Sequence, residues 1–130
     1  NGGGGYVQMQ IKQLNKTEIT TAIERNIIGN YWLGNYLPDG IFLAEYVGRS
    51  DICLQKRLIQ HANSGKYEAF GAKSSSSIRE AFEIECREYH MLQPGLSNSI
   101  HPRIPRHYPI PCPYCDFQIR ITSSDETEEF

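Results

Sequence analysis

Three polar residues that could act together on an anionic substrate lie in the stretch YVGRSDICLQKRLIQH, from Tyr46 to His61. Arg57 and His61 lie four residues apart in a predicted amphipathic helix, and residues at this spacing share a helix face. Tyr46 stands at the end of a predicted strand that precedes the helix. A phenol, a guanidinium and an imidazole at one place can bind an anion and move a proton, so this stretch is the first candidate site.

A carboxylate is out of place in a second predicted helix, which runs from Ile78 to about Leu92. On a helical wheel this helix has an apolar stripe about 80° wide, formed by Ile78, Phe82, Tyr89 and Leu92. Glu85 falls in the middle of that stripe, whereas the other acids, Glu80, Glu83 and Glu88, fall on the outer face. A carboxylate that faces a core is costly unless it is paired, hydrogen-bonded or bound to a cation. Glu85 is therefore predicted either to pair with a buried base such as Arg57 or to have a functional role.

Four soft side chains could form a second site, namely Cys86, His90, Cys112 and Cys115. The first two lie four residues apart in the same helix, and the last two form a C-x₂-C pair further along the chain. Together they offer the ligands of a closed tetrahedral Zn²⁺ site that would attach the tail to this helix. Competing ligands are His101 and His107. The alternative is a set of free thiols, with Cys86 buried as a small hydrophobe.

The elements that must position these residues begin with a hairpin. From Ile27 to Gly48 the chain is rich in aromatic and branched residues on both sides of Pro38-Asp39-Gly40, and this composition predicts two strands joined by a turn. A short helix over Thr17 to Asn26, capped by Asn15 or Thr17, is predicted before the hairpin.

Two main helices and a strand are predicted after the hairpin. Ser50 or Asp51 can cap a helix from Ile52 to about Ala62, and Tyr67 to Ala72 is a short strand. The next helix begins with a capping box at Ser77 and Glu80 and ends before Pro94-Gly95. These elements predict an α+β fold: a small antiparallel sheet built on a hairpin, flanked by two main helices, with a Pro-rich C-terminal extension.

The chain divides into one domain and two polar ends. Residues 1–15 are predicted to be a flexible segment or cloning remnant whose last part could add an edge strand, and residues 16–100 form the domain. Six prolines between Gln93 and Cys115 exclude a regular helix there, so 101–122 is predicted to wrap the surface as an extension with the C-x₂-C pair. Alternation at Phe117, Ile119 and Ile121 suggests one last strand. Residues 123–130 are predicted to be a disordered acidic tail.

Size and charge narrow the function classes. With 130 residues, 39% of them hydrophobic, the chain makes one modest domain. A net charge of −2 argues against strong bulk attraction to polyanions, so any affinity for nucleic acid must come from local placement of cations. We find no secretory signal and no apolar run long enough to span a membrane, so a cytoplasmic protein without a membrane partner is expected.

The chain from about Gly29 to Asn98 resembles the GIY-YIG nuclease superfamily in its short motifs and in their order along the sequence. The first motif corresponds to Gly29-Asn30-Tyr31 and the second to Tyr46-Val47-Gly48, one on each arm of the hairpin. Further matching positions are Arg49, Arg57, His61, Glu85 within AFEIE, and Asn98. Two features depart from the family pattern: Asn30 replaces the usual Ile or Val, and the gap between the two tyrosines is long.

The resemblance implies a metal-dependent endonuclease that hydrolyses phosphodiester bonds, in DNA more readily than in RNA. It implies that Arg57, with Arg49, binds phosphate, that Glu85 holds one Mg²⁺ or Mn²⁺ ion, and that Tyr31 or Tyr46 is the general base. In this scheme His61 relays a proton or binds phosphate, and Asn98 orients water or a neighbouring ligand. The alternatives are a non-catalytic nucleic-acid-binding module on the same scaffold and a zinc-stabilised protein-interaction domain.

Overall fold

The computed structural model of the chain describes residues 10–98, 100–106 and 110–115. In this part of the chain four antiparallel strands form one sheet in the order β1-β4-β2-β3. The strands are β1 (Lys12–Gln13), β2 (Gly29–Tyr36), β3 (Phe42–Ser50) and β4 (Ala69–Ser74), and the helices are α1 (Lys16–Ala22), α2 (Leu54–Ser64) and α3 (Ile78–Leu92). The predicted α+β fold with a hairpin-based antiparallel sheet and two main helices is confirmed.

Strands β2 and β3 form the predicted hairpin, and its turn has the expected chemistry. Gly40 adopts a φ of 89°, a conformation that costs glycine little, and the Asp39 carboxylate accepts a hydrogen bond from the backbone N–H of Ile41. Strand β2 also pairs with β4, so it lies inside the sheet while β3 forms one edge. The edge strand predicted near the N-terminus is β1, which pairs with β4 at the opposite edge.

Successive residues of β2 face opposite layers of the protein, because side chains alternate across a strand. Tyr31 and Leu33 belong to the main core on the side of α1 and α2. Asn30 and Trp32 face the other way, where their side chains bond Ala81 and Glu88 of α3. Helices α2 and α3 therefore cover opposite faces of the sheet, which explains why β2 is buried on both sides.

The ends of several elements differ from the prediction. The first helix ends at Ala22 instead of Asn26, because the chain is already extended at Ile23 on its way to β2. Strand β3 continues to Ser50, whose hydroxyl accepts hydrogen bonds from the next turn, and α2 begins only at Leu54. The strand expected over Tyr67 to Ala72 runs from Ala69 to Ser74.

Helix α3 has the predicted bounds, but its buried face is wider than the predicted stripe. Ser77 caps it by accepting from the Glu80 backbone N–H, while the Glu80 carboxylate bonds to Ser76. Glu88, which was expected on the outer face, is only 1% exposed and accepts a hydrogen bond of 3.1 Å from the Trp32 indole. The prediction that Glu88 lies on the outer face of the helix is wrong, because α3 packs on β2 as well as on β3.

The extension is described only in part. Residues 101–106 and 110–115 follow the domain without a regular strand, whereas the predicted last strand at Phe117 to Ile121 and the acidic tail lie outside the described residues. None of the described helices is both long and apolar enough to cross a membrane.

Asn30, the departure from the family pattern, holds α3 against the sheet. Its amide donates to the Ala81 carbonyl at 2.9 Å and accepts from the Ser75 hydroxyl at 3.1 Å, and the side chain is 1% exposed. Asn30→Ala is expected to lower the free energy of unfolding by about 1–3 kcal/mol, because it leaves buried partners unpaired. Urea denaturation would measure this loss.

Asn63→Ala is the matched control, because Asn63 lies exposed near the end of α2. Its effect should stay within about 0.5 kcal/mol. Equal effects of the two substitutions would show that the Asn30 hydrogen bonds do not stabilise the contact between α3 and the sheet.

Candidate active-site cleft and metal cluster

A cleft of about 700 Å³ opens beside β3, at the edge of the sheet. It is lined by side chains from β2, β3, α2, α3 and the segment that follows α3. Six of the seven residues predicted for catalysis or phosphate binding line it, namely Tyr31, Tyr46, Arg49, Arg57, Glu85 and Asn98. The seventh, His61, contacts Tyr31 from the adjacent turn of α2.

Two tyrosines and a histidine form an aromatic group on the α2 side of the cleft. The rings of Tyr31 and Tyr46 stack with centroids 6.3 Å apart, and His61 lies 5.2 Å from the first and 5.4 Å from the second. The Tyr31 hydroxyl is 2.9 Å from Nε2 of His61. Gly48 faces Tyr31 across the strand pair, and any Cβ there would collide with the Tyr31 ring. The glycine of the second motif therefore lets this ring reach the edge of the sheet.

The environment of this group determines its protonation. Burial raises the pKa of Tyr31 and of Tyr46 above the ordinary value, and the nearby Arg57 guanidinium opposes this rise only in part. Burial, followed by repulsion from Arg57, lowers the pKa of His61. Both phenols are thus protonated and the imidazole is neutral near pH 7, so Nε2 of His61 can accept the hydrogen of Tyr31. The resemblance implies that one of these phenols is the general base, whereas burial in the protein alone raises the pKa of both.

Glu85 pairs with Arg49 and not with Arg57, which corrects the pairing considered from the sequence. Nη1 of Arg49 lies 2.7 Å from Oε1 of Glu85, and Nε lies 2.8 Å from Oδ1 of Asp51. Arg49 is opposite Asn30 in the strand register, so it points to the α3 face, where its guanidinium also lies over the Phe82 ring. Burial raises the pKa of Glu85 despite this ion pair.

Arg57 remains available for a ligand. Its exposed side chain lines the cleft, and its guanidinium is close enough to Tyr31 to act against the rise in the pKa of that phenol. Among the described residues, no carboxylate lies within ion-pair distance of Arg57. A guanidinium without a carboxylate partner at the wall of a cleft is suited to bind an external anion.

Asn98 lines the cleft and is bonded to the backbone of β3. Its amide oxygen accepts from the Val47 backbone N–H at 3.0 Å, and its amide nitrogen donates to the Val47 carbonyl at 2.8 Å. The preceding Ser97 donates to the carbonyl of Glu45. Asn98 therefore attaches the chain after α3 to the edge of β3, and this attachment builds one side of the cleft.

A second group of side chains could hold a metal ion. Its members are His90, His101, Cys112 and Cys115, whose ligand atoms all lie within 4.8 Å of one another. Nε2 of His101 is 3.0 Å from Sγ of Cys115 and 3.2 Å from Nε2 of His90. In the described residues no other group of three or more His, Cys, Asp or Glu side chains meets this criterion.

The fourth member of this cluster differs from the predicted set. Cys86 is not part of it; it is fully buried beside Phe82 and Cys112. Its place is taken by His101, which the sequence offered only as a competing ligand. Spacing could not choose between them because His101 lies in an irregular segment, and His107 lies outside the described residues.

Comparison with known proteins does not assign the chain to a family. No family model matches the chain, and no curated protein and no solved structure is significantly similar to it. The fold and the site define an α+β domain with an edge cleft that contains a Tyr–His–Arg group and an Arg–carboxylate group, beside a His₂Cys₂ cluster. Membership of the GIY-YIG nuclease superfamily stays a prediction.

The repulsion between Arg57 and His61 can be measured directly. Arg57→Gln removes a positive charge that disfavours imidazolium, so the pKa of His61 is expected to rise. An NMR titration of the imidazole resonances would follow it. Lys56→Gln removes the neighbouring cation of α2 and should shift this pKa less. An equal or larger shift in the Lys56 variant would contradict the assigned arrangement.

Proposed function

We propose that the protein is a metal-dependent endonuclease that hydrolyses phosphodiester bonds in nucleic acid, with DNA as the favoured substrate. The observation that carries the proposal is the convergence of Tyr31, Tyr46, Arg57 and Glu85 on one cleft, although they come from four different elements. Their order along the chain is that of the GIY-YIG motifs. An anion-binding guanidinium, a proton path and a carboxylate are the parts that phosphodiester hydrolysis needs.

Arg57 is the proposed phosphate clamp. During hydrolysis negative charge grows on the equatorial oxygens of the phosphate, and a guanidinium offers a fixed fork of donors to that charge. Support comes from the exposure of Arg57 and from its lack of a carboxylate partner among the described residues. Arg49, which was also predicted to bind phosphate, lines the same cleft and forms ion pairs with Glu85 and Asp51.

Tyr31 is the proposed proton carrier, with His61 as the group that receives the proton. Since the imidazole is neutral and accepts the Tyr31 hydrogen at Nε2, an attacking water can pass its proton to the Tyr31 oxygen while that oxygen passes its own to His61. His61 then carries the positive charge, and both phenols remain protonated. The Tyr46 ring stacks on Tyr31 and lies 5.4 Å from the His61 ring, centroid to centroid.

Glu85 is the proposed ligand of Mg²⁺ or Mn²⁺. Its carboxylate and that of Asp51 both line the cleft, and hard oxygen donors of this type suit such an ion. Only part of the Glu85 carboxylate is available to an ion, because Oε1 accepts a hydrogen bond from Arg49. The other oxygen, Oε2, would be the ligand atom. The ion would supply a Lewis acid for the leaving oxygen.

Two substitutions test this function with matched controls on α3. Arg57→Ala is expected to lower the cleavage rate about 10²–10³-fold, as for the loss of one transition-state donor, and Glu85→Gln should abolish stimulation by Mg²⁺ or Mn²⁺. Arg79→Ala and Glu83→Gln are the controls, because these residues form an exposed ion pair outside the cleft. A gel assay with DNA substrates would measure cleavage.

If all four variants cut as the parent does, the site assignment is wrong. If the parent binds DNA at low salt and does not cut it with either ion, the domain is a non-catalytic binding module. The two results are distinct because binding and cleavage are recorded separately.

We further infer that the His₂Cys₂ cluster binds Zn²⁺. Zinc takes thiolate and imidazole ligands at about 2.0–2.3 Å in a tetrahedron, which places ligand atoms roughly 3.3–3.8 Å apart. Cysteine and histidine atoms of the cluster lie 3.0 to 3.6 Å apart in the closest pairs, near that spacing. The soft ligand chemistry favours zinc over the hard ions proposed for Glu85.

Elemental analysis of the purified protein should find about one zinc per chain. Cys112→Ser and His101→Ala are expected to lose it, while Cys86→Ser should retain it because Cys86 is outside the cluster. Cys53→Ser is a second control, because Cys53 precedes α2 as its N-cap residue and is outside the cluster. Zinc retained by His101→Ala and lost by Cys86→Ser would restore the ligand set first predicted from the sequence.

A further inference from the structure

The cleft carries an excess of positive charge that the catalytic residues do not explain. Its cationic lining consists of Arg49, Lys56, Arg57, Arg103 and Arg106, and its acids are Asp51 and Glu85. Arg49 is ion-paired with both acids. Within the described residues, no carboxylate lies at ion-pair distance from any of the other four cations. A chain with a net charge of −2 thus concentrates unpaired cations at one place, as expected for a site that binds a polyanion.

These four cations stand in two pairs on different parts of the chain. Lys56 and Arg57 belong to α2, whereas Arg103 and Arg106 belong to residues 100–106, which we call the strap. All four are exposed. The cleft therefore lies between a helix and a strap that both offer cations to its ligand.

Burial along the strap repeats every three residues. Pro102 and Pro105 are buried, and Arg103 and Arg106, which follow them, are exposed. In an extended Pro-rich chain with about three residues per turn, residues three apart lie on the same side. Both pairs line the cleft: the prolines are buried against the protein, and the arginines are exposed to a ligand.

The metal cluster lies at the base of the strap. His101 belongs both to the cluster and to the lining of the cleft, and its cluster partner His90 is on α3. On the other side, Asn98 fastens the chain to β3. A metal ion bound by the cluster would fix the point from which the strap starts along the cleft.

We propose that the strap is the second wall of a binding groove for single-stranded nucleic acid, with Arg103 and Arg106 contacting backbone phosphates opposite Lys56 and Arg57. A cleft of about 700 Å³ is in the size range of small-ligand sites, so it has room for a few nucleotides of one strand and is too small to enclose a double helix. The choice of nucleic acid rests on the proposed function, but binding can be measured without cleavage. The metal cluster holds the strap in its binding position.

The test is fluorescence anisotropy with a labelled single-stranded DNA of about 10 nucleotides, without Mg²⁺ or Mn²⁺ so that the strand is not cut. Arg103→Ala/Arg106→Ala is expected to bind about tenfold more weakly, because two phosphate contacts are lost. The slope of log K against log salt should become less steep by about 1.4. Arg103→Lys/Arg106→Lys retains the charges and should recover most of the affinity.

Arg25→Ala/Arg79→Ala is the matched control, with the same change in net charge at two exposed arginines that do not line the cleft. Its affinity should stay within about twofold of the parent value. If the strap variant and this control bind alike, or if the parent prefers duplex to single-stranded DNA, the proposal is overturned. A parent that does not bind single-stranded DNA at low salt overturns it as well.

The role of the cluster is tested by combining metal removal with the strap variant. Chelation of zinc, or Cys115→Ser, should weaken binding by the parent about as much as the loss of both arginines, and should have little further effect on Arg103→Ala/Arg106→Ala. Equal effects of chelation on both proteins would overturn the link between cluster and strap. Cleavage is measured separately. If binding depends on the strap arginines and on zinc but the parent does not cut, only the nuclease function is contradicted. If the parent cuts and the strap variant binds as tightly as the parent, only this inference is contradicted.

Discussion

The packing of the Tyr31 ring on Gly48 is the contact on which the cleft depends. Tyr31 is in β2, an inner strand of the sheet, and is 1% exposed, so its hydroxyl could not meet a ligand unless the neighbouring edge strand left room for its ring. Gly48 provides that room because it has no side chain. The hydroxyl then lies 2.9 Å from Nε2 of His61 in α2, with the positive charge of Arg57 nearby. A core residue thereby becomes part of the cleft, at the cost of a raised pKa.

The alternation of β2 supplies the rest of the arrangement. One residue before Tyr31, Asn30 faces the opposite layer and bonds the backbone of α3, and the register places Arg49 opposite it. Arg49 can therefore reach Glu85, which needs a partner because it is only 9% exposed on the face of α3 that meets the sheet. Removing either partner of a buried ion pair leaves an uncompensated charge. The Arg49–Glu85 pair therefore helps to fix the position of α3 on the sheet.

Local patterns predicted the elements well, and pairings across the sheet poorly. The Pro-Asp-Gly turn, the Ser77 cap and the stripe of α3 depend on residues close in sequence, and each is present in the structure. The partner of Glu85 is determined by the register of β3, and a helical wheel of α3 carries no information about that register. Arg57 was therefore considered as the partner, whereas the structure has Arg49 there. Likewise, Glu88 is buried because Trp32, 56 residues earlier, reaches it. Contacts of this kind follow from tertiary packing, which one sequence does not specify by spacing.

Helix α3 connects the two sites of the protein. Glu85 and His90 lie five residues apart, which separates them by about 140° around the helix axis. One therefore faces Arg49 and the cleft while the other faces the cluster. The strap begins at the cluster with His101 and lines the cleft with Arg103 and Arg106, whereas the Tyr31–His61 pair shares no residue with the cluster. In the function proposed here, substrate affinity and proton transfer would therefore depend on different parts of the chain, with α3 between them.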